Sequence, residues 1–225
     1  MSIGIIAALP REVSALVQGW ERLNPVSDVH VYTRGQTVVA CAGMGEARAT
    51  LAVQTAMATM PLMALLSVGL AGAVDPALRV GDIVRAGVVI DERTGERFEN
   101  GRFKQILVTS DSLASLSDKT RLRATRGAAA VDMEAAAVAR IARTHQLEFQ
   151  AIKAISDESD FEIESLRHFA TADGQFREGP FALHAALRPQ MWGKLITLAR
   201  NSNRALKSLT AAVERELDWY KSQRN

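Results

Sequence analysis

The chain has a single cysteine, Cys41, among its 225 residues. One thiol excludes an internal disulfide framework and a cysteine-cage zinc site, and it fits a reducing compartment. Cys41 ends an apolar run and reads as core rather than nucleophile. The four histidines, His30, His145, His168 and His184, show no metal-ligand spacing; they read as surface or local hydrogen-bonding groups, and no metal or cofactor is expected. Neither sign of charge is in excess. With 27 basic and 25 acidic residues the net charge is +2, which argues against nucleic acid as a partner. No basic leader or cleavage site precedes Ile3-Gly4-Ile5-Ile6, so a signal peptide is not read and a cytoplasmic location is expected. Internal repeats, low-complexity tracts and linkers are also missing.

Charge is absent altogether from Ala49 to Val74, a run long enough to span a bilayer. Gln54, Thr55, Thr59 and Ser67 dilute it, and Pro61 splits it. A buried helix over Ala49–Thr59 followed by a buried strand over Leu62–Val68 explains both halves, because a strand covered on two faces needs no polar alternation. Stable membrane insertion is therefore not expected. Overall, 48% hydrophobic and 23% charged residues describe an ordinary globular chain, and its length suits one domain over residues 1–225.

Ile3–Ala8 reads as a first strand, with Pro10 opening a helix through Gly19. Val29–Thr33 and Thr37–Ala42 read as a strand pair. Gly43 and Gly45 lead into the uncharged helix. Further strands are expected at Ile83–Asp91, Gln105–Thr109 and Phe149–Ile155, with a loop or hairpin over Asp91–Gly101 and a helix over Met133–Arg143. Residues 163–189 read as a long excursion, and a helical tail covers about 190–222. Leu195, Leu198, Leu206, Leu209, Val213 and Leu217 recur in that tail at helical spacing. Alternating strands and helices give an α/β fold, a three-layer α/β/α sandwich on a central mixed sheet. Ligands of such sheets bind beyond the carboxyl ends of strands, which directs attention to Ala8–Glu12, Gly69–Gly72, Thr109–Leu113 and Ser156-Asp157.

Three acids stand at strand-to-helix junctions. Glu12 follows the first strand, Glu134 follows Ala128–Val131, and Asp157 closes Ala151–Ile155, read as a buried apolar strand. Each has a plain structural alternative: a first-turn carboxylate facing a helix dipole for Glu12 and Glu134 (with Asp132 as the cap), and an N-cap for Asp157. Taken together, they are three acidic groups that the fold would bring to one rim.

The ordered motifs resemble the nucleoside phosphorylase/nucleosidase superfamily, and within it the methylthioadenosine/S-adenosylhomocysteine nucleosidases. They are Ile3-Gly4-Ile5-Ile6-Ala7-Ala8 with Glu12, Ala42-Gly43-Met44-Gly45-Glu46-Ala47, Ser67-Val68-Gly69-Leu70-Ala71-Gly72 with Val80-Gly81-Asp82-Ile83-Val84, Val131-Asp132-Met133-Glu134-Ala135, and Ala154-Ile155-Ser156-Asp157. The stretch Gly69 to Leu78 and the tail, with Asp173-Gly174, Leu187-Arg188-Pro189 and Leu195–Arg200, are similar to the hopanoid-biosynthesis-associated phosphorylase branch. The resemblance implies an N-ribosyl hydrolase that releases adenine from a 5′-modified adenosine, either methylthioadenosine or S-adenosylhomocysteine or an adenosyl-hopane lipid. It implies Asp157 as the proton donor to purine N7, kept protonated in a desolvated or hydrogen-bonded site, and Glu12 as the group that positions and deprotonates water. Met133 and Glu134 would hold the ribose hydroxyls, with Ala71, Gly72, Ser112, Leu113, Ala114 and Ser156 completing the substrate site. It also implies a homodimer.

Two alternatives stand beside this reading. A phosphorylase of the same fold would need arginines for phosphate. Arg11, Arg34 and Arg48 are candidates, although no arginine precedes Gly69. A catalytically silent nucleoside-binding protein would keep the pocket without the chemistry. Leu70 stands where nucleosidases commonly have a small polar residue, and Leu113 where they have an aromatic, so a differently shaped substrate is expected. From Arg188 onward basic residues outnumber acidic ones, with Trp192, Trp219 and Tyr220 interspersed. Such a helix can rest on anionic headgroups, but packing its leucine stripe on the domain is the reading preferred.

Overall fold

The elements run β1 (Ile3–Ala7), α1 (Pro10–Val13), β2 (Glu21–Arg22), β3 (His30–Arg34), β4 (Thr37–Cys41), α2 (Glu46–Thr59), β5 (Ala64–Ala73), β6 (Ile83–Asp91), β7 (Arg97–Glu99), β8 (Gln105–Thr109), α3 (Leu116–Arg126), β9 (Ala130–Asp132), α4 (Ala135–Thr144), β10 (Glu148–Asp157) and α5 (Trp192–Ser222). The computed structural model describes residues 2–24, 28–161 and 192–223. The excursion expected over 163–189, with Asp173-Gly174, Leu187-Arg188-Pro189, His168 and His184, lies outside the described residues.

The sheet is mixed. β1 runs parallel to β4 on one side and to β5 on the other. β5 is parallel to β10, and β10 is antiparallel to β6. β6 is parallel to β8, β8 to β9, and β9 returns antiparallel to the end of β5. The strands β5, β10, β6, β8 and β9 thus close on themselves, while β1, β4, β3 and β2 form an open wing. Alternation along β1 sends Ile5 and Ile6 to opposite faces. Ile5 packs with Leu66, Ile152 and the α5 residues Leu209, Val213 and Leu217. Ile6 packs with Val38, Leu65 and the helix residues Val53 and Val138. A third cluster, including Val84, Leu107 and Ile155, fills the closed part of the sheet. The α/β/α layering expected from the alternating elements is present, with helices covering both faces.

Several boundaries differ from the sequence reading. α1 ends at Val13 instead of Gly19; the chain continues in turns that bury Leu16 and Trp20 against the sheet. β5 does not stop at Val68 but runs on through Gly69 and Gly72 to pair with β10 and β9. The loop or hairpin expected after Asp91 is a hairpin, with β7 antiparallel to β6. The strand read before Glu134 over Ala128–Val131 is β9, Ala130–Asp132, whereas α3 was not anticipated. α3 is a polar helix that buries little beyond Lys119 and Leu122. In α5 the residues Ala205, Leu209, Ala212, Val213, Leu217 and Tyr220 are buried, so this stretch packs on the domain as preferred above. Among the described residues no helix is long and apolar enough to cross a membrane.

Candidate active site

The carboxyl ends of β1, β5 and β10 open on one cavity of about 180 Å³, and the segments after β8 and β9 turn into it. All ten residues singled out from the sequence line it: Glu12, Ala71, Gly72, Ser112, Leu113, Ala114, Met133, Glu134, Ser156 and Asp157. Arg11, Leu70, Lys119 and Asp132 line it too. Arg34 and Arg48 are not among the lining residues; Arg34 stacks over the Trp20 ring, 4.6 Å from its centroid.

Glu12 is buried and folds back over the start of its own helix. Its Oε2 accepts the N–H groups of Ala8 and Leu9, both at 2.9 Å, and its Oε1 accepts the Leu70 N–H at 3.2 Å. The carboxylate therefore ties the end of β1 to β5. Gly69 makes room for it. Its φ of +147° is unfavourable for any residue with a side chain, and a Cβ there would stand 3.1 Å from Glu12 Oε1. Burial and the nearby Glu12 push the Cys41 thiol up, which fits the inert core residue read from the sequence.

Glu134 immediately precedes α4, at its N-cap. Asp132 takes the capping role expected of it, its Oδ2 accepting the Ala135 N–H at 2.9 Å. Glu134 is thereby free to face the cavity, where its Oε1 accepts the Gly45 N–H at 2.8 Å. Gly45, with φ of +86°, begins α2. Burial pushes the Glu134 carboxyl up to about 7; Lys153 and the Gly45 N–H oppose the shift, and Asp132 and Glu12 add to it.

Lys153 corrects the picture of Ala151–Ile155 as an apolar strand. It is buried in the middle of β10, with its Nζ 2.9 Å from Asp132 Oδ2 and side-chain exposures of 1% and 0% for the pair. Burial pulls its pKa down, but Asp132, Glu134 and Glu12 outweigh that pull, and the net shift is upward. Asp132 is further held by the Thr109 hydroxyl, which donates to Oδ1 at 2.7 Å.

Asp157 is held by hydrogen bonds on both of its carboxyl oxygens. Lys119 Nζ lies 2.6 Å from its Oδ2, and Ser156 Oγ donates to its Oδ1 at 2.8 Å. Gly72 permits the approach, since a Cβ there would stand 3.0 Å from Asp157 Oδ2. Lys119 was missed because it belongs to α3; Ser115, which caps α3 by accepting the Asp118 N–H, and Gly127, left-handed at its end, were the available signals.

A curled mixed α/β sheet with acids gathered beyond its parallel strand ends defines a small-molecule-binding fold whose cavity is equipped for proton transfer. The chain belongs to the phosphorylase superfamily, whose family model matches residues 2–113 and 105–178. It is similar to 5′-methylthioadenosine/S-adenosylhomocysteine nucleosidase of Staphylococcus aureus strain JH9, at 25% identity over 202 residues, covering 72% of this chain and 89% of the relative. Solved structures share the fold. The Helicobacter pylori 5′-methylthioadenosine/S-adenosylhomocysteine nucleosidase superposes with a TM-score of 0.73 at 15% identity, covering 97% of this chain and 98% of the other. Futalosine hydrolase of Helicobacter pylori strain 26695 gives 0.62 at 18%, covering 70% and 88%.

Proposed function

We propose that this chain hydrolyses the N-glycosidic bond of a 5′-modified adenosine and releases adenine. The convergence of Glu12, Glu134 and Asp157 on one cavity carries the reading. Breaking the bond requires a proton for the departing purine, a hold on a sugar that becomes cation-like, and a nucleophile behind the anomeric carbon. In the proposed arrangement Asp157 serves purine N7, and Glu134 with Met133 binds the ribose hydroxyls. Glu12 receives the proton of the attacking water. Ser112, Leu113 and Ala114 border the base, with the leucine supplying an apolar face. General acid–base help of this kind is worth about 10²- to 10⁴-fold per group.

The charge pattern favours water over phosphate. Lys119 is engaged by Asp157 and Lys153 by Asp132, while Glu12, Asp132, Glu134 and Asp157 all line the cavity. Arg11, exposed at the cavity, is the observation that favours phosphorolysis as the second reading. Leu70 and Leu113 stand where nucleosidases commonly have a small polar residue and an aromatic, which supports a differently shaped substrate and keeps an adenosyl lipid among the candidates beside methylthioadenosine and S-adenosylhomocysteine. The reading includes a homodimer.

The test is adenine release by purified protein from methylthioadenosine, S-adenosylhomocysteine, 5′-deoxyadenosine and an adenosyl lipid. Release without added phosphate is expected. Turnover only with phosphate selects phosphorolysis, and bound but intact nucleoside selects the silent binding protein.

A further inference from the structure

We infer that Lys119 is the positioning residue that supplies Asp157 with the proton the leaving purine takes. The inference rests on the nucleosidase reading above. Both Asp157 oxygens accept hydrogen bonds, one from Lys119 at 2.6 Å and one from Ser156 at 2.8 Å. Ser156 Oγ also lies 3.4 Å from the Ala71 carbonyl, so its single proton is shared between two acceptors. Lys119, with its short contact to Oδ2, is the side chain placed to pass a proton through Asp157.

The surroundings of the amine suit that task. Lys119 Nζ is almost sealed from solvent, with 4% side-chain exposure. It has three acceptors: Asp157 Oδ2 at 2.6 Å, the Glu158 carbonyl at 2.9 Å and the Phe161 carbonyl at 3.2 Å. An ammonium has three protons to give and a neutral amine has two. The two carbonyls hold the amine in place before and after transfer, and the third proton is the one shared with Asp157.

The step balances. The C1′–N9 bond breaks and its electron pair enters the purine ring. Lys119 passes one proton to Asp157 and N7 takes that proton from Asp157, which leaves Asp157 a carboxylate and Lys119 a neutral amine. Water adds to C1′ and its proton passes to Glu12. Exchange with solvent afterwards returns that proton from Glu12 and restores the ammonium on Lys119.

The test compares leaving groups. One substrate is whichever adenine nucleoside the wild-type protein cleaves fastest. The other is a 4-nitrophenyl riboside with the same 5′ group, whose phenolate departs without needing a proton. Lys119→Met removes charge and proton together, and Lys119→Arg keeps the charge but holds its protons too tightly to pass one on. Both variants are expected to lose about 10²-fold or more in kcat on the nucleoside, with KM changed only a few-fold. The loss on the nitrophenyl riboside is expected to be at least about tenfold smaller. Equal losses on the two substrates, or full nucleoside activity in Lys119→Arg, would overturn the inference. Should Lys119→Met fail to fold, the arginine variant still decides. Absence of nucleoside cleavage by the wild type removes the underlying reading, and the inference with it; cleavage by the wild type with no leaving-group dependence in the variants removes the inference alone.

Discussion

Replacing Glu134 by glutamine should stabilise the folded protein above neutral pH while removing its activity. The carboxyl has an ordinary value near 4.5 and is pushed up to about 7 by burial in the folded chain. Each pKa unit corresponds to about 1.4 kcal/mol, so keeping this group ionised in the fold costs about 3 kcal/mol. The sign follows from proton binding. Between 4.5 and 7 the folded state holds the proton that the unfolded chain has already lost. The group's contribution to stability therefore falls as pH rises through that window, and the penalty is complete above it. Glutamine avoids the penalty and still offers an oxygen to the Gly45 N–H. It forfeits the attraction of Lys153, but that attraction is already counted in the net shift. Urea unfolding of both proteins at about pH 5 and about pH 8.5 reads the difference, which should move toward the variant by up to about 3 kcal/mol as pH rises. A difference that does not change with pH, or one that moves toward the wild type, refutes the reasoning.

Three further substitutions separate the site's parts. Glu12→Gln presents an amide to backbone donors that now meet oxygens, so it should cost about 1–3 kcal/mol in urea unfolding and about 10²- to 10⁴-fold in kcat for adenine release. Gly69→Ala combines an unfavourable φ of +147° with a Cβ 3.1 Å from Glu12 Oε1; it should lower kcat more than it raises KM, as steady-state kinetics will show. Lys153→Met leaves Asp132 buried without its cation and should cost about 3–5 kcal/mol in denaturant unfolding, largely recovered when Asp132→Asn is added.

Much of this arrangement was legible because its signals are local. Ile3–Ala8 is an apolar run with Glu12 close behind, so the carboxyl end of β1 could be located before its neighbours were known; Leu62–Val68 marked β5 but not its continuation through Gly69 to Ala73. Glu12, Glu134 and Asp157 were legible as acids, each just past a run read as a strand. Lys119 and Lys153 were not legible in this way. A lysine is ordinarily solvated, and what buries Lys153 is Asp132, a partner on another strand. What engages Lys119 is the far end of β10, on an element whose sparse apolar face, Leu122 chief among it, gave too weak a helical stripe. The closure of the sheet escaped for the same reason: β10 pairs with both β5 and β6, and no periodicity within β10 shows two partners.

The structural alternatives weighed for the three acids turn out to be joined to the functional ones. Glu12 does cover the start of its helix, and with its other oxygen it fastens Leu70 across the sheet. Glu134 precedes α4 and also holds Gly45, where α2 begins. Asp157 is tied through Lys119 to the carbonyls of Glu158 and Phe161. Each acid thus connects two chain segments around the cavity, so its loss will affect both folding and turnover. A fall in activity alone consequently says little about role. The informative quantities are those a loosened fold moves together and a broken proton path moves apart: kcat against KM, one leaving group against another, and stability at low against high pH.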